Sequence, residues 1–228
     1  MSPRIVEVRE GVLKKNDLAA RELRERFRRS GVTVVSLVSS PGAGKTTLLE
    51  RTLRELKARH RVAALVGDLA TDRDAQRLSQ PGVRVRQITT GTVCHLDAQM
   101  VVDALADWEL PSLDVLFIEN VGNLVCPASY DLGEGLRVVL LSVTEGEDKP
   151  LKYPTIFNSA DLAIITKIDL AEPAGFSRDE AHRNLREVRP GLEILELSAR
   201  TGQGMAGWLD RLAAAGPREG ASRTLERP

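Results

Sequence analysis

Ser39-Ser40-Pro41-Gly42-Ala43-Gly44-Lys45-Thr46-Thr47 lies between an apolar run, residues 32–38, and a stretch with helical periodicity, residues 46–59. The string follows the pattern G-x-x-x-x-G-K-[ST], with Ser39 in place of the first glycine. Gly42 and Gly44 let the backbone curl so that successive N–H groups, including that of Ala43, point inward. The N-terminus of the following helix adds a favourable dipole for an anion. Lys45 is then placed for the outer phosphates of a nucleotide, Thr46 for a magnesium ion and Thr47 for the phosphate chain. An ordinary glycine-rich turn lacks this strand-before, helix-after context.

Working outward, the same alternation repeats. Apolar runs at residues 61–67, 83–89, 113–118, 137–143, 162–166 and 194–197 join 32–38 as candidate strands. Several lack polar alternation, as expected when both faces of a sheet are covered. Amphipathic segments at 97–108, 179–188 and 205–214 separate them. The expectation is α/β: a mostly parallel sheet of about seven strands with helices on both faces. Ahead of it, residues 1–31 read as a helical extension, with Asp17 as N-cap, Ala19, Leu23 and Phe27 on one face, and Gly31 as the stop. Residues 32–215 form the nucleotide domain. Residues 216–228 have almost no apolar content and read as a disordered tail.

Composition narrows the class. The 228 residues carry 32 basic and 32 acidic side chains, so charge gives no reason for a nucleic-acid or membrane partner. No run approaches the ~20 apolar residues of a membrane span, and the start lacks a secretory core. A cytoplasmic location is expected. In that setting the two cysteines read as thiols or metal ligands rather than a disulfide.

Thr166-Lys167-Ile168-Asp169 closes one of the apolar runs at the ligand-binding edge of the sheet. Guanine presents N1–H and an exocyclic NH2 side by side. The Asp169 carboxylate can accept both, whereas adenine would leave it unpaired. Lys167 can lay its stem over the base. Ser198-Ala199, after the next strand, match a loop whose backbone N–H reaches guanine O6. These residues choose GTP over ATP and disfavour an ATP-driven kinase.

Glu119-Asn120-Val121-Gly122 ends the central apolar run. The string resembles the D-x-x-G motif of G-proteins, with Glu for Asp; the resemblance implies that Glu119 faces magnesium and that the Gly122 N–H contacts the terminal phosphate. Asp68 and Asp72, four residues apart, are candidates for magnesium and for orienting the attacking water, with helix capping the rival reading for Asp72. Lys45, Asp72, Glu119 and Gly122 form the expected catalytic group. Position 123 is Asn and no arginine finger is assignable, so slow intrinsic hydrolysis is expected.

Cys94-His95 precedes a helix, and Cys126 follows Gly122 by four residues. Thiolate and imidazole suit Zn2+ or Ni2+. Against this, a lone cysteine is often a small buried hydrophobe. Adjacent side chains at a helix start diverge by about 100°, so the expectation is a site completed across a two-fold axis rather than within one chain. His60 and His182 sit in charged, exposed surroundings.

Together with the motifs above, Gly91-Thr92-Val93-Cys94-His95, the run from Glu119 to Cys126-Pro127, and Glu145-Gly146-Glu147-Asp148-Lys149-Pro150-Leu151-Lys152-Tyr153-Pro154 resemble the HypB family of nickel-incorporation GTPases. The resemblance spans residues 12 to 212. It implies a GTP-dependent homodimer binding nickel or zinc through Cys94, His95 and Cys126. It further implies nickel delivery to the large subunit of [NiFe] hydrogenase, with a HypA-type nickel-binding accessory protein as partner. Some relatives carry an N-terminal Cys-rich or His-rich segment; the first 30 residues here contain neither residue, so a nickel-storage role is not expected. Two alternatives remain: a urease-accessory GTPase, expected to show Cys-Pro-His rather than Cys94-His95, and a GTP-dependent protein switch without a metal. Lys149 or Lys152 of 145–153 is a candidate for touching nucleotide or a dimer partner.

Overall fold

The computed structural model describes residues 3–215, with side chains from residue 10 onward. The tail expectation for 216–228 lies outside the described residues. Seven strands form one sheet: β1 (Thr33–Ser39), β2 (Val62–Asp68), β3 (Arg84–Thr89), β4 (Val115–Glu119), β5 (Leu136–Ser142), β6 (Leu162–Thr166) and β7 (Glu193–Leu197). Their order is β3-β2-β4-β1-β5-β6-β7, and every neighbouring pair is parallel. The expected strands are all present, with ends shifted by one or two residues.

Parallel strands leave all their C-terminal ends on one edge, and that edge carries the motifs. β1 runs out into the phosphate loop, β2 into Asp68, β4 into Glu119 and β6 into Lys167.

Consecutive strand residues point to opposite faces, and both faces are covered. On one face Val35, Leu37, Ala64, Val66 and Phe117 pack under Leu48, Leu49 and Leu53 of α2 (Lys45–Leu56) and Trp208 and Leu212 of α8 (Met205–Ala215). On the other, Val34, Leu65, Leu116 and Ile118 meet α1 (Pro3–Ser30) and α4 (Ala98–Ala104). The remainder of that face, Val139, Leu141 and Ile165, packs on α6 (Pro154–Ser159) and α7 (Arg178–Val188). Between these two patches Ser36 donates to buried Glu134 at 3.0 Å, and Arg137 pairs with the same carboxylate at 2.7 Å. A buried acid is tolerated there because it is fully bonded.

α1 differs from the expectation at its start. The helix is already running at Pro3, so Asp17 sits in its interior and is not an N-cap. The buried face is Ala20, Leu23 and Phe27, with Ala19 only partly buried. Its neighbour Asn16 is buried and makes two tertiary bonds, donating to the Asp131 carbonyl and accepting from Ala98 N–H at 2.8 Å. Gly31 ends the helix at φ 66°, and Val32 N–H reaches back to the Phe27 carbonyl.

α4 stops at Ala104, four residues short of the expected end, and α2 stops at Leu56. Two short helices, α3 (Arg73–Ser79) and α5 (Lys149–Lys152), complete the set.

The loop after β7 depends on a glycine. Gly204 has φ +73°, and a Cβ there would lie 2.0 Å from the Glu196 carbonyl oxygen. Both a left-handed backbone and a backbone clash oppose any side chain. Gly204→Ala is expected to destabilise the chain by about 2 kcal/mol or more, read as a lowered midpoint in urea denaturation. An unchanged midpoint would show that this loop rearranges freely.

Candidate functional site

The phosphate loop is shaped by its two left-handed glycines, Gly42 at φ 76° and Gly44 at φ 100°. Gly44 is also the N-cap residue of α2. Lys45 is buried, and its ammonium donates to Ser39 Oγ at 2.9 Å. The residue that replaces the first glycine of the pattern therefore supplies the lysine's resting partner. Burial lowers the Lys45 pKa against the opposing pull of Glu119. A polyphosphate entering the loop reverses that penalty, because it brings the counter-charge.

A cavity of about 440 Å3 opens above this loop, lined by Gly42, Gly44, Lys45, Thr46 and Thr47 on one side and Asp68, Asp74, Arg77, Glu119 and Gly122 on the others. Thr46 donates to Glu119 Oε1 at 2.7 Å, while Glu119 Oε2 is buried without a partner. Burial pushes the Glu119 pKa up to about 7, with Lys45 and the Thr46 hydroxyl pulling the other way. A bare buried carboxylate oxygen beside a threonine hydroxyl fits a hard divalent cation.

Asp68 also lines the cavity. Partial burial acts to raise its pKa, but the backbone N–H groups of Ala70 and Thr71, with the Thr71 hydroxyl, outweigh it and hold it below the usual value. Gly122 closes on the loop so tightly that a Cβ would meet Pro41 Cα at 3.0 Å.

Asp72 is not brought to this cavity. It occupies the N-cap position of α3, and its carboxylate accepts from Gln76 Nε2 at 2.7 Å. The carboxylate from this segment that lines the cavity is Asp74, two residues on. Sequence reading missed it because spacing along a loop does not fix which side chain turns inward. Arg77, one helical turn further, also lines the cavity, so a basic residue is present where none was assignable.

A second cavity of about 280 Å3 adjoins the first and shares Gly44 and Thr47 with it. Lys167, Asp169, Ser198 and Ala199 line it, so the four base-reading candidates converge. Lys167 adopts φ 59°, the one left-handed non-glycine backbone among the described residues. That strain aims its ammonium at the Gly42 carbonyl, 2.7 Å away, and lays the stem along the cavity. Thr166 ties the two loops together through the Ala43 carbonyl at 2.7 Å. Arg51 holds the Ala199 carbonyl at 3.0 Å.

Cys94, His95 and Cys126 do close on one another within a single chain, contrary to the expected divergence. One ligand atom from each lies within 4.8 Å of the others. The reason is local: α4 begins at Ala98, capped by the Asp97 side chain on Met100 N–H at 2.8 Å. Residues 94 and 95 lie in a bend before that cap, where helical rotation does not apply.

The two sulfurs are 3.1 Å apart as thiols. Tetrahedral zinc with bonds of about 2.3 Å sets sulfurs roughly 3.8 Å apart, so an ion would part them slightly. His95 lies against the Tyr130 ring at 3.9 Å between centroids, with Nδ1 buried and unbonded. Burial lowers its pKa, with Asp97 opposing. The neutral imidazole is the form that binds metal.

The Cys94–His95–Cys126 group and the cavity above the phosphate loop are joined by one segment. Asn120, buried at the end of β4, accepts from Leu96 N–H at 3.0 Å and Val121 N–H at 2.9 Å. Asn123 donates to the Cys94 carbonyl at 3.3 Å.

The other expected positions are quieter. Lys149 stands over the Tyr153 ring and Lys152 pairs with Asp148, so both side chains bond within their own segment. His182 is half-buried against Glu196 at 2.7 Å rather than exposed. No helix among the described residues is long and apolar enough to cross a membrane.

The family model described as "CobW/HypB/UreG, nucleotide-binding domain" matches residues 33–196. Hydrogenase maturation factor HypB of Rhizobium leguminosarum bv. viciae is 50% identical over 214 residues, covering 92% of this chain and 72% of that protein. The hydrogenase/urease maturation factor HypB of Helicobacter pylori is 45% identical over 204 residues, covering 88% and 84%. A crystal structure of HypB from Helicobacter pylori in complex with nickel superimposes with a TM-score of 0.82 at 44% identity, covering 87% of this chain and 93% of that one. With its seven-stranded parallel sheet and its phosphate loop at the end of β1, the chain belongs to the CobW/HypB/UreG nucleotide-binding family and, within it, to the HypB branch.

Proposed function

We propose that this chain hydrolyses GTP and uses the nucleotide state to gate a nickel ion, its cargo, held by Cys94, His95 and Cys126 for insertion into [NiFe] hydrogenase. The observation that carries the reading is the segment from Glu119 to Cys126. It begins at the phosphate cavity, ends on a metal-binding thiol, and grips the loop bearing the other two ligands through Asn120 and Asn123. Movement of Gly122 against Pro41 is therefore passed to all three ligands.

In the nucleotide site Lys45 and the loop N–H groups bind the outer phosphates, and Asp169 reads guanine. Thr46 and Glu119, with Asp68 beside them, hold magnesium, which supplies neutralising charge at the phosphates. Asp74 faces the same space and orients the attacking water; Asp72, turned to Gln76, serves the helix instead.

Three ligands leave a four-coordinate ion open on one side, the side from which a second copy completes it. The cluster accepts zinc as well as nickel on the same ligand chemistry. Val125, next to Cys126, is 63% exposed, and such a surface suits a homodimer or a HypA-type donor. The adjacent Cys94–His95 pair favours the hydrogenase branch over a urease-accessory protein. A cytoplasmic location suits a chain that draws on GTP and nickel.

Nickel affinity measured with GDP and with a non-hydrolysable GTP analogue is expected to differ at least about tenfold, the size of ordinary coupling between sites. Asn120→Ala should bring that ratio towards one. Equal affinities in the two nucleotide states of the unaltered chain would remove the gating.

A further inference from the structure

The phosphate cavity carries three carboxylates, Asp68, Asp74 and Glu119, against two cationic side chains, Lys45 and Arg77. Lys45 rises through the phosphate loop, whereas Arg77 comes from α3 on a separate wall. Arg77 Nη2 donates to Thr47 Oγ1 at 3.2 Å and to Glu50 at 3.0 Å; Asp74 is 3.9 Å away. Thr47 lines both the phosphate and the base cavities. The guanidinium thus rests beside the threonine that borders both cavities. Its side chain is 42% exposed, so packing does not pin it to Glu50.

We propose that Arg77 is a catalytic residue of GTP hydrolysis, an arginine supplied by the chain itself, which leaves Glu50 to bond the γ-phosphate oxygens as the reaction proceeds. The proposal rests on the GTPase reading above. In that reaction the water oxygen forms a bond to the γ-phosphorus and the bond from the bridging oxygen breaks. The electron pair stays on the β-phosphate of GDP, and the water proton passes to phosphate and then to solvent. Charge grows on the bridging and terminal oxygens. A planar guanidinium can meet two of them at once, which an ammonium cannot. Lys45 approaches from the loop and magnesium would sit at Thr46 and Glu119; among the described residues Arg77 is the one further cationic side chain that lines the cavity.

The test uses the full chain: single-turnover GTP hydrolysis, affinity for GDP, and affinity for GDP with aluminium fluoride, which mimics the transferring phosphoryl group. Arg77→Ala should slow hydrolysis about 100-fold or more, in the range for losing one transition-state donor or an arginine finger. GDP affinity should stay within about threefold, while affinity for the aluminium fluoride complex falls in step with the rate. Arg77→Lys should recover less than about a tenth of the activity, because the charge returns without the fork. Hydrolysis by Arg77→Ala within threefold of the unaltered chain overturns the proposal. So does a Glu50→Gln variant equally slow, with GDP affinity falling alongside, since that pattern marks a merely structural ion pair. An unaltered chain that fails to hydrolyse GTP overturns the GTPase reading and this proposal together.

Discussion

Replacing Cys126 by alanine is expected to weaken nickel binding at the Cys94–His95–Cys126 cluster by about 100-fold or more. Changes to groups that merely orient metal ligands cost 10- to 100-fold, and removing a ligand itself lies at or beyond the upper end. The convergence of one ligand atom from each residue within 4.8 Å makes the loss specific: two donors remain, one fewer than the three that hold even an open site. Cys94→Ala should do the same, and the double variant should add little, because ligands of one ion act as a unit. Competition against a chromophoric chelator reads the affinity directly. GTP affinity measured without nickel should be untouched, since neither cysteine lines the nucleotide cavities. Nickel affinity within threefold of the unaltered chain in both single variants would show that the ion sits elsewhere.

Asp169→Asn should cost GTP affinity about 100-fold and open the site to xanthosine triphosphate. In the proposed reading the carboxylate would accept from both N1–H and the exocyclic NH2 of guanine. An amide turns one acceptor into a donor and leaves buried groups unpaired, at about 1–3 kcal/mol each. Xanthine carries a carbonyl where guanine has the amine, so the same amide suits it. The cavity geometry supports this directness, with Asp169, Lys167, Ser198 and Ala199 lining one space that shares Gly44 and Thr47 with the phosphate site. Fluorescence competition among GTP, XTP and ATP measures the switch. Unchanged GTP affinity in Asp169→Asn, or equal GTP and ATP binding by the unaltered chain, would remove Asp169 as the base reader.

The division between what could be read from the residues and what could not follows the range of the interactions. Strand runs were legible because burial of both faces writes itself as unbroken Val, Leu and Ile, as in residues 162–166. The phosphate loop was legible because glycine at positive φ, lysine and threonine must stand at fixed spacing to meet one ligand. Asn16 was not: a buried asparagine spanning Asp131 and Ala98 leaves no periodic mark. Asp17 was misread as a cap because propensity at one residue is weak against a helix already propagating from Pro3.

By itself the sequence determined the chemistry on offer: a phosphate loop, a carboxylate at Asp169 able to accept from guanine, an acid at Glu119 and three soft ligands. Only the tertiary structure decided which of these meet. It turned Asp74 and Arg77 into the cavity and Asp72 away from it. It bent residues 94 and 95 before the Asp97 cap so that both reach Cys126, and it set Asn120 between the nucleotide strand and the metal loop. Short-range spacing fixes what a loop can bind. The direction of a side chain outside regular structure is fixed by contacts with residues far away in the chain.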